Sequence, residues 1–310
     1  MNRPFNLTVM MYHYIRDRGD AAEAGLGIPG MPVRDFEAQL DELSKHYTCV
    51  NWPEVRMALQ ESKPLPNSAC LLTFDDGVCD HSINVFKILH ERGLSGLFFI
   101  MDRREKAGLV LAHKIHFLLA KLSIAGLRDA IWEKLDAYER ARFMQAEERY
   151  RMKYPPTSVD GRIDLLKAVL QRELSVWTDS LLGELFEEHI GSEKEIARQY
   201  YLNLEQIEEM ARGGMHFGGH SQNHPWFDWI DQETREREIQ ASSEFLRQSE
   251  PGPWAFAYPY GGLFEDSPTL LKKHNFAAAF TTHPQTQHSD PYFIGRLDGE
   301  EIAQIGNKYA

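Results

Sequence analysis

Cysteine is scarce, with three residues in 310, Cys49, Cys70 and Cys79, odd in number and without a C-x-x-C pair. That excludes a disulfide framework and a thiolate metal knuckle, and leaves buried reduced thiols as the expectation. Long apolar runs are missing as well. Nothing approaches the roughly 18 apolar residues that a bilayer-spanning helix needs. The stretch from Met1 to Met10 has neither the apolar h-region nor the small-residue cleavage site of a secretory signal, so the sequence alone predicts a cytoplasmic protein without a transmembrane segment. There is no basic surplus: 34 Lys and Arg stand against 46 Asp and Glu, a formal net charge of −12. A general nucleic-acid binder is thereby excluded, because nothing is left over to neutralise phosphates, although a local basic pocket for an anionic ligand is not. Internal repeats and low-complexity tracts are absent, and no oligomeric state follows from the sequence.

What is present is ample apolar material, 43% of the residues, enough for one large α/β domain or two smaller ones. Leu7–Tyr12, Cys70–Phe74, Gly96–Met101, Met215–Gly219, Trp254–Tyr258 and Ala277–Thr281 read as strands. Helical patterns separate most of them. Asp35 is placed to cap a helix carrying Phe36, Leu40 and Leu43, and Asn51 with Glu54 forms a capping-box pattern before Val55 and Leu59. Ser82–Arg92 ends at Gly93 and Asn203–Arg212 at Gly213-Gly214, as helices often do. This alternation predicts an α/β fold, a parallel sheet or barrel. From Asp102 to about Tyr201 strand signals fade, and charged helical stretches dominate, Arg128–Arg142, Arg162–Glu173 and Thr178–His189, with a loop at Tyr154-Pro155-Pro156-Thr157. The expected organisation is a barrel from 1–101 and 201–310 with a helical insertion over 102–200. Such insertions serve as lids or substrate walls, or as structural and dimer-forming elements.

Four motifs carry chemistry. Thr73-Phe74-Asp75-Asp76-Gly77 ends an apolar strand with adjacent carboxylates, which repel and lose solvation unless a cation or shared proton compensates. An Asp-Asp-Gly surface turn is the plainer alternative. His220-Ser-Gln-Asn-His224-Pro follows another strand, and a helical turn between the two histidines would put both imidazoles on one side, as a metal pair requires. Two His and one Asp leave coordination positions open for water and substrate, the pattern of a catalytic site. Tyr258-Pro-Tyr260-Gly261 and Tyr12-His13 complete the set. All four sit where a strand meets its following loop, the end of an α/β barrel where active sites collect.

Together, Thr73–Gly77, His220–Pro225 and Tyr258–Gly261 resemble the signature motifs of the polysaccharide deacetylase family, also called carbohydrate esterase family 4. The resemblance covers about 1–101 and 201–300. It implies a distorted (β/α) barrel, here with a large helical insertion, and a metal-dependent hydrolase that removes the N-acetyl group from an acetamido sugar. It makes Asp76, His220 and His224 the metal ligands, and Asp75 the base acting on the water nucleophile at that metal. Tyr260 becomes a backbone N–H donor to the oxyanion. His13 resembles the early histidine of the poly-N-acetylglucosamine deacetylase branch and becomes the acid for the leaving amine, a task suited to imidazole. The metal expected is zinc, with cobalt, nickel or iron as alternatives for such a donor set.

The chain departs from the family at Ala257, where many members carry an arginine that holds the base, and it has no clear match to the late Asp/Trp motif that buttresses the acid. Arg296 is a candidate replacement and a candidate substrate contact, a surface or structural arginine being the simpler reading. Trp226 and Tyr258 are the other residues expected to touch the sugar. His81, His113, His116, His216, His283 and His288 are read as packing or rim residues rather than ligands. The expected substrate is a nucleotide- or lipid-linked acetamido sugar in surface-polysaccharide biosynthesis. The alternatives are a non-sugar amide, or a non-catalytic sugar-binding barrel.

Overall fold

The computed structural model describes residues 5–17, 19, 27–61, 63–103, 108–157, 159–173 and 175–299; the extreme ends of the expected barrel segments, 1–4 and 300–310, lie outside them. Among these residues the chain forms two compact units. One comprises the described residues of 5–19, 29–103 and 200–299, the other those of 27–28 and 108–199.

The first unit is built on an eight-stranded sheet whose pairings are all parallel. Its strands are β1 (Thr8–Tyr12), β2 (Thr48–Cys49), β3 (Ala69–Phe74), β4 (Leu97–Ile100), β5 (His216–Gly219), β6 (Trp254–Ala257), β7 (Phe276–Phe280) and β8 (Leu297–Asp298). The order is β8-β1-β3-β4-β5-β6-β7, with β2 paired to the start of β3. The six strands read from apolar runs are therefore present, each within a residue or so of its expected limits. Parallel neighbours need crossovers, and helices such as Val33–His46, Leu204–Arg212 and Gln232–Leu246 supply them.

Strands buried on both faces read as continuous apolar runs, and alternate residues then go to different cores. Met10, Tyr12, Cys70, Leu72, Phe74, Phe98, Phe217 and Phe256 join Phe36, Leu40, Leu89, Ile207 and Ile239 from the helices. The opposite parity, Val9, Leu71, Leu97, Phe99, Ala255, Ala257, Ala278 and Phe280, forms a second cluster with Trp52 and Val55. This is the barrel's inner face. Closure falls to one short segment: Ile294 bridges Phe280 on β7, and Leu297 and Asp298 pair with Met10 and Met11 on β1. The strap 294–298 thus touches both edges of the sheet.

Local details differ from expectation where backbone bonding outranks pattern. Asp35 lies inside the first turn of Val33–His46 and does not cap it; Val33 N–H is accepted by Asp17 instead. The capping boxes of Asn51 with Glu54, and of Asn203 with Gln206, are both formed. The helix expected over Ser82–Arg92 begins as a π turn, His81–Val85, and continues as Phe86–Glu91.

The second unit is helical: Leu111–Lys134, Ala137–Arg151, Val159–Ala168, Ser175–His189 and Glu193–Tyr200. The single stretch expected over Arg128–Arg142 is two helices, separated because Asp136 and Glu139 form a capping box that starts the second. Phe117 packs edge-on to Phe186 in its core, with ring centroids 5.6 Å apart. The buried Lys114 ammonium is met by Asp179 at 2.8 Å and Glu193 at 3.2 Å.

Gly218 on β5 faces the inner layer, where an added Cβ would stand 2.7 Å from the Ala255 carbonyl oxygen and 2.7 Å from the Phe99 ring. A backbone oxygen cannot step aside. Gly218→Ala is therefore expected to cost about 1–3 kcal/mol in urea unfolding. A variant as stable as the parent would show that β5 and β6 are less tightly apposed than described.

Candidate active site

Strand alternation assembles the site. Val9 and Met11 lead by steps of two to His13, Leu71 and Thr73 to Asp75, Gly218 to His220, and Ile294 to Arg296, so four residues from four strand ends share the inner parity. The ladder continues far enough to enforce this at Asp75, whose N–H donates to the Tyr12 carbonyl at 2.9 Å.

Among the described residues, Asp76, His220 and His224 form a group whose ligand atoms lie close enough together to hold a metal ion. Asp76 Oδ1 lies 3.4 Å from Nε2 of each histidine, and the two Nε2 atoms are 3.2 Å apart. The triangle is nearly equilateral. Its edges match the separation of about 3.3–3.5 Å between ligand atoms that bond a tetrahedral ion at roughly 2.0–2.1 Å. His220 Nδ1 lies 2.8 Å from the Ala257 carbonyl oxygen, which can only accept; in the neutral ring this puts the proton on Nδ1 and aims the Nε2 lone pair at the centre of the triangle. The donor set and its geometry fit a divalent cation.

The two histidines meet without the expected helical turn. Residues 220–224 form an irregular loop in which Ser221 (φ 65°) and His224 (φ 55°) are left-handed, and Ser221 Oγ accepts from His224 N–H at 3.0 Å. Two left-handed residues bring His224 back to His220, with ring centroids 4.8 Å apart. Asp76 is also left-handed (φ 78°), and Gly77 follows at 63°, where a Cβ would stand 2.9 Å from the Ile100 side chain.

Asp75 is held by Arg296. Nη1 donates to Oδ1 at 2.6 Å and Nη2 to Oδ2 at 2.7 Å, a bidentate fork between groups that are 1% and 2% exposed. Arg296 Nε donates to the Thr281 carbonyl at 3.0 Å, and Thr73 Oγ1 accepts from Nη1 at 3.3 Å while donating to the Met10 carbonyl at 2.6 Å. Burial by itself would raise the Asp75 carboxyl; the charge and hydrogen bonds of Arg296, helped by His220, hold it below the usual range. Arg296 is neither a surface residue nor placed to touch a sugar. Both its terminal nitrogens donate to Asp75, a contact that Ala257 cannot make.

His13 is close enough for its charge to bear on Asp75. Its loop is pinned by the turn after the carboxylates. His81 Nε2 donates to the His13 carbonyl at 3.1 Å, Asn84 Nδ2 to the Ile15 carbonyl at 2.8 Å, and Arg16 forks onto Asp80 at 2.6 and 2.7 Å. Tyr14, stacked under Arg16, receives the Tyr200 hydroxyl at 2.8 Å. The Asp80–Arg16 pair did not stand out in the sequence. The i, i+5 distance from Asp75 to Asp80 and the arginine three residues after His13 were the available signals.

Tyr260, left-handed at φ 56°, sits with its ring edge-on to His224, centroids 4.5 Å apart. The turn around it is closed by Gly261 N–H to the Tyr258 carbonyl and Gly262 N–H to the Pro259 carbonyl. Trp226 stacks on Tyr260 at 4.0 Å and 8°, making an aromatic ledge beside His224. Tyr258 is not brought to the site. It shares the outer parity of Phe256, is fully buried, and donates its hydroxyl to the Tyr292 carbonyl at 3.2 Å. The remaining histidines lie outside the ligand group: His216 pairs with Glu250, His288 bonds the Leu7 carbonyl, and His113 and His116 belong to the helical unit.

Burial lowers the His81 pKa from its ordinary value of about 6.5 to about 4, against the smaller pull of the His13 carbonyl and the aspartates. The unfolded chain then takes up a proton that the folded chain refuses. Stability is complete above about pH 6.5 and declines as pH falls toward 4, by on the order of 3 kcal/mol from this group. His81→Gln keeps a donor for the His13 carbonyl without the titration. Urea unfolding at pH 7 and pH 4 should therefore show a smaller loss in the variant, and parallel losses would remove His81 from the account.

Comparison with known proteins finds similarity to proteins named for deacetylation. The family model for polysaccharide deacetylase matches residues 181–279, which include the His220–His224 and Tyr258–Gly261 motifs. YxkH of Bacillus subtilis (strain 168), named for polysaccharide deacetylation, is 26% identical over 115 residues, 37% of this chain and 36% of that protein. The chain thus matches little more than a third of the length of this curated relative. The solved structure of the Streptococcus pyogenes deacetylase PplD in complex with acetate superposes with a TM-score of 0.58 at 17% identity, covering 97% of this chain and 98% of that one. A de-N-acetylase from Aggregatibacter actinomycetemcomitans gives 0.57 at 14% identity, covering 97% and 99%, and IcaB from Ammonifex degensii gives 0.55 at 18%, covering 98% and 96%. At these identities the structures speak for the fold, the parallel (β/α) barrel. The family model falls on the loops that follow β5 and β6, and the barrel beneath those loops has the fold of these three structures: over residues 181–279 the chain is similar to the polysaccharide deacetylase family.

Proposed function

We propose that the protein is a divalent-metal-dependent N-deacetylase of an acetamido sugar, with Asp76, His220 and His224 as the ligands. The observation that carries this reading is the 3.2–3.4 Å triangle of ligand atoms standing beside a buried carboxylate clamped by arginine. A non-catalytic sugar-binding barrel has no use for that second, ionised carboxylate.

Held there, a divalent cation, zinc being the first choice for such a set, would supply the Lewis acidity that acidifies a water and polarises the acetamide carbonyl. Asp75 is placed to accept the proton of the water whose oxygen adds to the amide carbon. Its fork to Arg296 keeps it ionised and fixes its orientation, the two properties a general base needs. Tyr260 N–H, in the turn beside His224, donates to the oxygen that gains charge as the amide carbon becomes tetrahedral. His13 gives a proton to the sugar nitrogen as the carbon–nitrogen bond breaks, releasing acetate and the amine. The ledge of Trp226 on Tyr260 offers a flat apolar face for the pyranose ring.

Acetate release from free, nucleotide-linked, lipid-linked and polymeric N-acetylated amino sugars tests this reading and identifies the carrier. Release should cease with a chelator and return with Zn²⁺, and Asp75→Asn should lower it by about 10²–10⁴-fold. No release from any member of the panel by metal-loaded protein would sink the proposal.

Arg296→Met should lower turnover by about 10- to 100-fold by freeing the base from its position. It should also melt earlier, since breaking a buried pair costs about 3–5 kcal/mol. Arg296→Lys, with charge but no fork, should fall between the two. Equal turnover in Arg296→Met and the parent would show that Asp75 needs no partner.

A further inference from the structure

Between His220 and His224 the chain must turn through two left-handed residues, and nothing in those residues makes that conformation favourable. Ser221 and His224 both carry a Cβ, so φ values of 65° and 55° persist only where surroundings over-determine them. One surrounding group is a carboxylate in an unexpected place. In helix Gln232–Leu246 the buried stripe is Glu238, Ile239, Ser242, Ser243, Phe245 and Leu246, and Glu238 is 6% exposed. A carboxylate on such a stripe is costly unless its oxygens are satisfied.

They are satisfied by the loop. Glu238 Oε2 accepts from Gln222 N–H and Asn223 N–H, each at 2.8 Å, and Oε1 accepts from Asn223 Nδ2 at 2.5 Å. Two successive backbone N–H groups pointing at one oxygen form a small anion-binding concavity, filled here by the protein's own side chain. Arg103 Nη1 donates to the Gln222 carbonyl at 3.0 Å from the other side. None of these atoms touches a ligand nitrogen. They hold Gln222 and Asn223, two of the three residues between the ligands, and with them the separation of the two imidazoles.

We infer that Glu238 is a positioning residue for the metal site, presetting the His220–His224 loop so that both Nε2 atoms face Asp76 before any ion arrives. The inference rests on the reading of Asp76, His220 and His224 as metal ligands. It assigns to Glu238 a part of the metal affinity, because a loop released from the left-handed conformation must be reordered each time an ion binds.

The test uses the full-length protein freed of metal, with two readouts. Zinc affinity is measured by competition with a chromogenic chelator, and hydrogen exchange is followed at the amides of Gln222 and Asn223 without zinc. Glu238→Ala should bind zinc about 10- to 100-fold more weakly and exchange those amides at least about tenfold faster. Glu238→Gln retains an oxygen for both N–H groups and should recover most of both. Leu246→Ala, on the same buried stripe, should lower the melting temperature and leave zinc affinity unchanged, which separates positioning from general destabilisation. If Glu238→Ala does not fold, Asn223→Asp, an exposed change that sets a second carboxylate against Glu238, should weaken zinc binding in the same direction. Zinc affinity within twofold of the parent in the folded variants, with unchanged exchange, overturns the inference. A parent that binds no zinc overturns the metal reading instead, and the exchange arm then decides alone whether Glu238 holds the loop.

Discussion

The buried pair of Arg296 and Asp75 is the constraint around which the barrel is arranged. A guanidinium and a carboxylate taken out of water each lose several kcal/mol of solvation, which is offset only by a close fork and full use of the remaining donors. Arg296 meets that condition with Asp75, Thr281 and Thr73. To do so it must enter the barrel from the strap 294–298, the same segment that bridges β7 and pairs with β1. Closing the sheet and orienting the carboxylate are therefore one construction. The Thr73 hydroxyl, accepting from Arg296 and donating to the Met10 carbonyl, ties that construction to the neighbouring strand.

Much of this was legible in the sequence because strand alternation is a rigid rule. Once Ala69–Phe74 and His216–Gly219 are strands, the residues two steps beyond an inward side chain point inward, and Asp75 and His220 follow. The same rule, applied at β6, places Tyr258 with Phe256 on the helix-facing side, which excludes it from substrate contact. The H-x-x-x-H spacing misleads in a different way. It fits a helical turn, but the loop reaches the same proximity through left-handed residues that only tertiary partners stabilise. Arg296 lies 221 residues from Asp75, and no local pattern announces such a pairing. Glu238 left a fainter trace, an acidic residue in phase with Ile239, Ser242 and Leu246 on a buried helix face.

Six non-glycine residues among those described have positive φ, and four of them, Asp76, Ser221, His224 and Tyr260, stand at the candidate site. Each is a position where backbone preference is overruled to bring a functional group to a particular point. Such positions hold on a rigid base: inner residues of the barrel below, Glu238 and Arg103 beside the second loop, and the Tyr200–Leu202 segment, which bonds Gly77 and Cys79 after the first. The helical unit, inserted in sequence between β4 and β5, has its own apolar core and its own capped helices.

The placement of Arg296 also bears on how the protein is made. A chain synthesised from its N-terminus exposes Asp75 when the strap that carries its partner is still 221 residues away. Until the strap arrives, the barrel interior holds a carboxylate with no counter-charge, so the nascent sheet gains little by closing. Closing the sheet and burying the carboxylate in its ionised form are thereby coupled, because one segment supplies both the last strand and the counter-charge.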